Sequence, residues 1–252
     1  MFRVFRRQDS GCVSYGVWVD GRHWFVKHSS EPRGMAGLRR ARHLHETFEH
    51  PALARLYNSF RTRDGLALIY EWLPGEVLYD YTASGISRDD PAGAHARFRA
   101  LPIEQILAAL DTIYDVHLML AQKGFVAVDF YDGCIIYDFN RGRTYLCDLD
   151  EYRPGPFVLE DERLPGSRRF MAPEEWRRGS TIDQVTNVYT LGRTAVELLG
   201  SGGLTGRTWR GSSALQVVVG RATSAERAAR QQSVQEFVAE WSASRRADGQ
   251  SG

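Results

Sequence analysis

The sequence predicts an α+β protein in which a small strand-rich part precedes a larger helical part. Residues 1–73 alternate apolar and polar positions as strands do, whereas apolar residues recur at helical spacing from Ile103 onward. Pro74-Gly75 interrupts the pattern between the two parts. We therefore expect one bilobal domain, with a β-rich lobe at 1–73, a mostly helical lobe at 74–245 and a tail at 246–252.

The strand-rich part is expected to deliver Lys27 from the middle of a sheet. Tyr15–Val19 and His23–Lys27 alternate as strands, and Asp20-Gly21 between them favours a tight hairpin because both residues tolerate positive φ. A helix with apolar residues at helical spacing follows and ends before His50-Pro51. The remaining expected elements of this part are a strand at Phe2–Phe5, the helix at Gly37–Phe48, and strands at Ala54–Phe60 and Leu66–Trp72.

The second part is expected to be built around one long helix. Residues 83–100 are polar and rich in glycine and proline signals, so they predict a loop. Ile103–Gln122 carries the strongest helical pattern, and two short strands at Cys134–Tyr137 and Thr144–Cys147 follow it. Further helices are expected at 184–199, 212–222 and 232–243.

Composition excludes several classes of protein. The chain has 252 residues, 43% of them hydrophobic, and a net charge of +1, so it can bury a core but offers no basic footprint for nucleic acid or an anionic membrane. No stretch approaches the ~18 apolar residues of a spanning helix, and the first residues lack the apolar core of a secretory signal. Three cysteines at unpatterned spacing indicate neither a disulfide framework nor a zinc site. We expect a cytoplasmic protein with buried thiols.

Lys27 and a spaced series of acids carry the chemistry. The chain has only two lysines, Lys27 and Lys123, among many arginines. A compact ammonium fits beside phosphate oxygens where a planar guanidinium does not. The acids lie in the motifs V-A-V-D at 126–129, C-D-L-D at 147–150 and M-A-P-E-E at 171–175.

In their order and spacing these motifs resemble those of the eukaryotic-like Ser/Thr protein kinase superfamily, over roughly residues 4–243. W-F-V-K at 24–27 is similar to the lysine strand of that family, and L-I-Y-E-W-L-P-G at 68–75 to its hinge, with Tyr70 as the gatekeeper residue. N-V-Y-T-L-G at 187–192 resembles the helix beneath the catalytic loop. The resemblance implies a bilobal kinase-like fold that binds ATP and Mg²⁺.

The resemblance also implies roles for individual residues. Lys27 and Asp129 would be catalytic, Lys27 by contacting the α- and β-phosphates and Asp129 by orienting the acceptor hydroxyl. Asp148 and Asp150 would hold the metal ion. The other residues to which it gives a role are Gly11 and Gly16 of the phosphate loop, Glu71 and Leu73 with main-chain groups for adenine, and Glu174, Arg230 and Asn187 as structural residues.

Several positions depart from the family pattern. Val13 replaces the second glycine of the phosphate loop, and Ala41 stands where the helix glutamate that pairs with the lysine would be, so Glu46 or Glu31 would have to substitute. Val128 replaces the arginine before the catalytic aspartate, which disfavours activation by phosphorylation of the chain. The position of the metal-binding asparagine is Cys134, a poor ligand for Mg²⁺.

The sequence does not decide which acid replaces the metal-binding asparagine or how the acceptor is bound. Asp150, or less favourably Asp132, can supply the oxygen. Tyr131 replaces the lysine that Ser/Thr kinases keep beside the γ-phosphate. Arg168-Arg169 fits either an acidic substrate or phosphate, or simply a solvated face.

Three functions are compatible with this pattern. The first is an ATP- and Mg²⁺-dependent phosphotransferase of the Ser/Thr protein-kinase type, which passes the γ-phosphate to a hydroxyl-bearing acceptor. The second is a small-molecule kinase acting on a metabolite or antibiotic, favoured by the acid-rich Asp148-Leu149-Asp150 and opposed by the Met-Ala-Pro-Glu segment. The third is a pseudokinase that binds nucleotide or partners without transfer, favoured by the departures above.

Overall fold

The computed structural model describes residues 1–5, 10–79, 88, 90–200 and 208–249. Within these ranges the protein is α+β, with a five-stranded antiparallel sheet and six α-helices. The strands of the sheet have the spatial order β1-β2-β3-β5-β4. Their bounds are Arg3–Phe5 (β1), Val13–Val19 (β2), Arg22–Ser29 (β3), Leu56–Arg61 (β4) and Leu66–Glu71 (β5).

The predicted hairpin is confirmed. Asp20 and Gly21 have φ angles of 49° and 74°, and Val19 pairs with Arg22 directly across the turn. Because β3 lies between β2 and β5, Lys27 stands at the centre of the sheet, opposite Ser14 on one side and Leu68 on the other.

The first helix, α1, covers one face of this sheet. It spans Pro32–Thr47 and so begins five residues before the predicted Gly37. Proline is well suited to the first turn of a helix because its N–H would have no partner there. Leu38 and Ala41 pack with Leu68 and Tyr70 of the sheet, which fixes the helix over the strand that carries Lys27.

The prediction of a loop over 83–100 is wrong in its last third, where a short helix, α2, spans Ala94–Arg99. Phe98 is fully buried and meets the ring of Tyr137 edge to face at 4.9 Å. Apolar anchoring therefore overrides the local turn signals. Residues 83–87 and 89 lie outside the described residues.

Short strand pairs follow the long helix α3, which spans Ile103–Gln122 as predicted. The two strands expected after it form an antiparallel pair in the structure, joined at one edge by a third strand. The strands of this part are Glu76–Val77 (β6), Phe125–Val126 (β7), Ile135–Asp138 (β8), Arg143–Leu146 (β9), Arg153–Pro154 (β10), Phe157–Val158 (β11) and Thr181–Ile182 (β12).

The three predicted C-terminal helices are confirmed as α4 (Gln184–Leu199), α5 (Ser213–Ala222) and α6 (Val234–Gly249). They pack on α3 around Tyr114, whose ring lies 5.0 Å from that of Trp241. The helix α6 continues into the range 246–252 that the sequence set aside as a tail. None of the helices in the described part of the chain is both long and apolar enough to cross a bilayer.

Candidate functional site

Lys27 is buried between two aspartates that follow β9. Its Nζ forms ion pairs with the carboxylate of Asp148 and, at 2.5 Å, with Oδ2 of Asp150. Lys27 is only 3% exposed. Burial alone would lower the pKa of this lysine, but the charges of Asp148 and Asp150 outweigh burial and raise the pKa well above its usual range. The buried lysine is therefore held as a cation by the two aspartates.

The two aspartates differ in their access to solvent. The side chain of Asp150 is 5% exposed and that of Asp148 is 43% exposed. Burial raises the pKa of Asp150 above its usual range, and the charge of Lys27 opposes that shift. Asp148 has a φ of 60°, a left-handed conformation that is uncommon for a residue with a side chain and that is often found at functional sites. Asp150 is thus fixed on Lys27, whereas Asp148 remains open to a ligand.

The helix α1 packs closely against Asp150, but the carboxylates that pair with Lys27 come from the loop after β9. A Cβ at Gly37 would stand 3.5 Å from Cβ of Asp150, so the helix passes directly over that aspartate. Nε of Arg40 donates to the carbonyl oxygen of Asp150 at 2.9 Å, and the same guanidinium pairs with Glu151 at 2.8 Å. These contacts tie the loop that carries Asp150 to the helix.

The substitutes that the sequence suggested for the missing helix glutamate do not pair with Lys27 in the described structure. Glu46 is exposed and pairs with Arg42 at 3.4 Å. Glu31 lies by Gly11, whose φ is 73°. The sequence did not predict that Asp150 would pair with Lys27 in place of the helix glutamate. Asp150 and α1 are more than a hundred residues apart in sequence, so local patterns do not reveal their contact.

Asp129 lies in the loop after β7, in a strained conformation. Its φ is 61°, and its side chain is half-buried. Asn187 of α4 holds the loop, because its side-chain amide accepts from the N–H of Ala127 at 2.9 Å and donates to the carbonyl of Ala127 at 2.7 Å. A cavity of about 10 Å³, close to the smallest that can hold one water molecule, is lined by Ala127, Asp129, Phe130, Gly166, Ser167, Phe170, Met171, Glu175 and Thr190.

Glu175, which the sequence did not single out, lies buried in this cavity. One of its carboxylate oxygens accepts a hydrogen bond from the N–H of Ala172 at 2.6 Å. Burial, together with the charges of Glu174 and Asp129, raises the pKa of Glu175 to about 8. The side chain is therefore protonated at neutral pH.

Glu174 and Arg230, to which the resemblance gives structural roles, form a buried ion pair. Arg230, which is fully buried, donates to the two oxygens of Glu174 at 2.7 and 3.1 Å, and Arg227 adds a third contact at 2.6 Å. Burial would raise the pKa of Glu174, but its hydrogen bond to Arg230, a backbone hydrogen bond and the charges of Arg230 and Arg227 together hold the pKa below its usual range. This pair joins the segment after Asp129 to the C-terminal helices.

Asp132 belongs to a buried ionic network and is not available to a metal ion. Its oxygens lie 2.7 Å from Arg88 and 3.0 Å from Arg169, and the residue is fully buried. Arg169 also pairs with Glu197 at 2.8 Å. Burial raises the pKa of Asp132 to about 7 in spite of the charge of Arg88. The network neutralises the charge of Arg169, which is half-buried. Arg168, the other member of the predicted Arg168-Arg169 pair, is exposed.

The expected phosphate loop and hinge are occupied by other contacts. Gly16 lies inside β2, where a Cβ would come within 2.9 Å of the rings of Phe2 and Trp72, so aromatic packing requires this glycine. The N–H of Glu71 donates to the carbonyl of Arg55. Leu73 follows β5 and is half-buried. The roles in nucleotide binding of Gly11, Gly16, Glu71 and Leu73 stay predictions.

Cys134 and Cys147 are buried or half-buried thiols in the described chain. Burial raises the pKa of Cys147 to about 12 and that of Cys134 well above its usual range. Sγ of Cys134 donates to the carbonyl oxygen of Asp129 at 3.3 Å, so this thiol supports the loop. Because the thiolate is the nucleophilic form, protonated thiols such as these are poor nucleophiles.

Comparison of the chain with family models and with curated proteins finds no match. Any function proposed for the chain must therefore rest on its motifs and on the geometry around Lys27 and Asp129.

Proposed function

We propose that the protein is an ATP- and Mg²⁺-dependent phosphotransferase of the Ser/Thr protein-kinase type, with the nucleotide between a β-rich and a helical lobe. The observation that carries the proposal is the convergence of Lys27 with Asp148 and Asp150, from positions 121 and 123 residues further along the chain. A buried ion pair is weak evidence for a stabilising role, whereas charged groups with perturbed pKa values cluster at functional sites.

In this proposal the three charged groups divide the work on the triphosphate. Lys27 contacts the α- and β-phosphates, and Asp150 keeps the lysine in place. Asp148 holds the metal ion. The described residues include no cluster of three or more His, Cys, Asp or Glu side chains suited to a metal. That fits Mg²⁺, which is bound by one or two carboxylates and takes its other ligands from phosphate and water.

Asp129 orients the acceptor hydroxyl in the same proposal. Its half-buried carboxylate shares a cavity with Ser167, and Asn187 fixes the backbone two residues before it. Phosphoryl transfer depends almost entirely on positioning and on charge neutralisation, so a few well-placed groups suffice for turnover.

A specific observation favours a second candidate, a pseudokinase that binds nucleotide or partners without transfer. Phe25, two residues before Lys27, packs against Tyr70 and Trp72 with ring centroids 6.4 Å apart in each pair. Together with the ring of Phe2, which lies over Gly16, these side chains fill the face of the sheet on which adenine would bind. Binding of ATP requires them to move.

Incubation with γ-labelled ATP and Mg²⁺, with candidate acceptor proteins present, separates the two candidates. We expect labelled acceptor with the native chain and loss of label with Asp129→Asn and with Lys27→Met. The exposed Lys123→Met is the matched control and retains transfer. Absence of label from every acceptor, together with measurable ATP binding, would establish the pseudokinase instead.

A further inference from the structure

Two exposed arginines, Arg163 and Arg168, both lie over the indole ring of Trp176, in the segment that follows the candidate metal-binding loop. The guanidinium carbons of Arg163 and Arg168 each lie 5.4 Å from the ring centroid of Trp176. The indole is half-buried and packs against an apolar cluster formed by Val126, Val128, Leu159, Leu164, Met171 and Ile182. Cations within about 6 Å of a tryptophan ring are attracted to its face. A fixed ring thus orients both arginines.

The positive charge of these two arginines is not neutralised by contact. In the described chain, no carboxylate lies within the 4.0 Å of an ion pair from either guanidinium, although the exposed Glu160, Asp161 and Glu162 precede Arg163. Arg169 differs, because Asp132 and Glu197 bind it. Arg163 and Arg168 are therefore free to bind an external anion.

The arginine pair lies close to Asp129. Arg168 directly follows Ser167, which lines the same small cavity as Asp129. A Cβ at Gly166 would stand 3.8 Å from Oδ1 of Asp129. Arg168 thus belongs to the segment that lies beside Asp129, and Arg163 lies near this segment because it shares the ring of Trp176.

We propose, as a deepening of the proposed function on which it rests, that the acceptor is a polypeptide with an anionic side chain near the acceptor hydroxyl, bound by Arg163 and Arg168. The planar guanidinium binds carboxylate and phosphate through two parallel hydrogen bonds. The indole orients both side chains beforehand, which lowers the entropy lost on binding. The open surface suits a chain that extends past the site, whereas small molecules bind in enclosed cavities.

Three matched peptides test the proposal by kcat/KM for transfer. Each carries one central serine, flanked by neutral residues, by Asp and Glu, or by phosphoserine. We expect the two anionic peptides to be preferred about tenfold or more over the neutral one, as charge-assisted hydrogen bonds allow. The carboxylate and phosphoserine peptides distinguish the two sources of the anion.

The double variant Arg163→Gln, Arg168→Gln is expected to lose this preference and to retain transfer to the neutral peptide. Arg178→Gln is the control, because Arg178 is exposed, is not among the cations over the ring of Trp176 and loses one positive charge in the same way as each arginine of the pair. Equal use of all three peptides by the native protein, or a preference that the double variant retains, would overturn the proposal.

Fluorescence anisotropy of labelled, non-phosphorylatable peptides, in which alanine replaces the central serine, measures binding without transfer. We expect the anionic peptides to bind more tightly than the neutral one, and the double variant to remove the difference. This readout separates the two proposals: selective binding without transfer to any peptide contradicts the phosphotransferase alone, whereas transfer without selective binding contradicts the anion site alone.

Discussion

The carboxylate that holds Lys27 comes from a loop and not from a helix. Asp150 is almost fully buried, and its backbone carbonyl is bound by Arg40 of α1. Because Gly37 has no side chain, the helix passes close above this aspartate. Lys27 is therefore oriented by a loop that is itself bound to α1, and its described ion pairs are with Asp148 and Asp150.

Replacing Asp150 tests this assignment. Asp150→Asn leaves Lys27 with one carboxylate in a buried site, so we expect the free energy of unfolding to fall by about 3 kcal/mol, as when other buried ion pairs are broken. We also expect a strong loss of phosphoryl transfer. Urea denaturation and the labelled-ATP assay measure the two effects. Glu46→Gln is the control. An equal loss of stability and transfer in this variant would show that Glu46 of α1, and not Asp150, holds Lys27.

The buried carboxyl of Glu175 predicts a pH dependence of stability. Its pKa is about 8 in the folded protein against 4.5 for an ordinary glutamate, so the folded state binds an extra proton between these values. Stability from this group is complete below 4.5 and is lost as the pH rises through about 8. The loss is at most ~1.4 kcal/mol per pH unit.

The variant Glu175→Gln has no proton to lose and keeps an oxygen for the N–H of Ala172. We expect the free energy of unfolding of the native protein to fall relative to this variant as the pH rises across that window, as measured by urea denaturation at several pH values. Glu160→Gln, at an exposed position, should follow the native protein throughout. A constant difference between native protein and Glu175→Gln would contradict the raised pKa.

The individual elements show which features local sequence can determine. Asp20-Gly21 identifies its hairpin because the conformation of two residues decides the turn, and α3 and α4 follow from their apolar spacing. The helix α2 was missed because contact with a distant ring, Tyr137, buries Phe98. In the candidate site, the motifs singled out Lys27, Asp148 and Asp150, which the structure brings into contact. They did not show that these two aspartates pair with the lysine, because that depends on contacts distant in sequence.

Two glycines inside helices predict opposite effects of the same substitution. A Cβ at Gly37 of α1 would meet Asp150 at 3.5 Å, an ordinary contact, whereas at Gly192 of α4 it would lie 2.8 Å from Cβ of Ala222 on α5. Gly37→Ala should raise the free energy of unfolding by about 0.5–1 kcal/mol through helix propensity. Gly192→Ala should lower it, because α4 and α5 must separate.

Thermal and urea denaturation of the two alanine variants measure these effects. Phosphoryl transfer should be unchanged in Gly37→Ala, since Asp150 need not move, and Gly37→Leu should reduce it by displacing that aspartate. Destabilisation by Gly37→Ala would show that α1 lies nearer to Asp150 than the structure has it.

At the scale of the whole molecule, the site joins the sheet to the helical part. Lys27 belongs to the central strand of the sheet, whereas Asp148 and Asp150 follow β9 of the second part. Burying the charges of Lys27 and Asp150 where these parts meet is costly unless they are paired. A ligand that adds negative phosphate and a bound cation at the exposed Asp148 would alter this balance without unpairing Lys27 from Asp150.

MgATP should therefore stabilise the folded protein against heat. A ligand that binds only the folded state adds about 2.7 kcal/mol at a concentration one hundred times its Kd, so we expect a rise in Tm that grows with MgATP concentration. Asp148→Asn should abolish the part of the rise that requires Mg²⁺, because this aspartate is the carboxylate open to the metal. Arg178→Gln, at an exposed position away from the site, should keep the full rise. If Tm is insensitive to MgATP, or if Asp148→Asn responds as the native protein does, then the charges around Lys27 serve the fold alone.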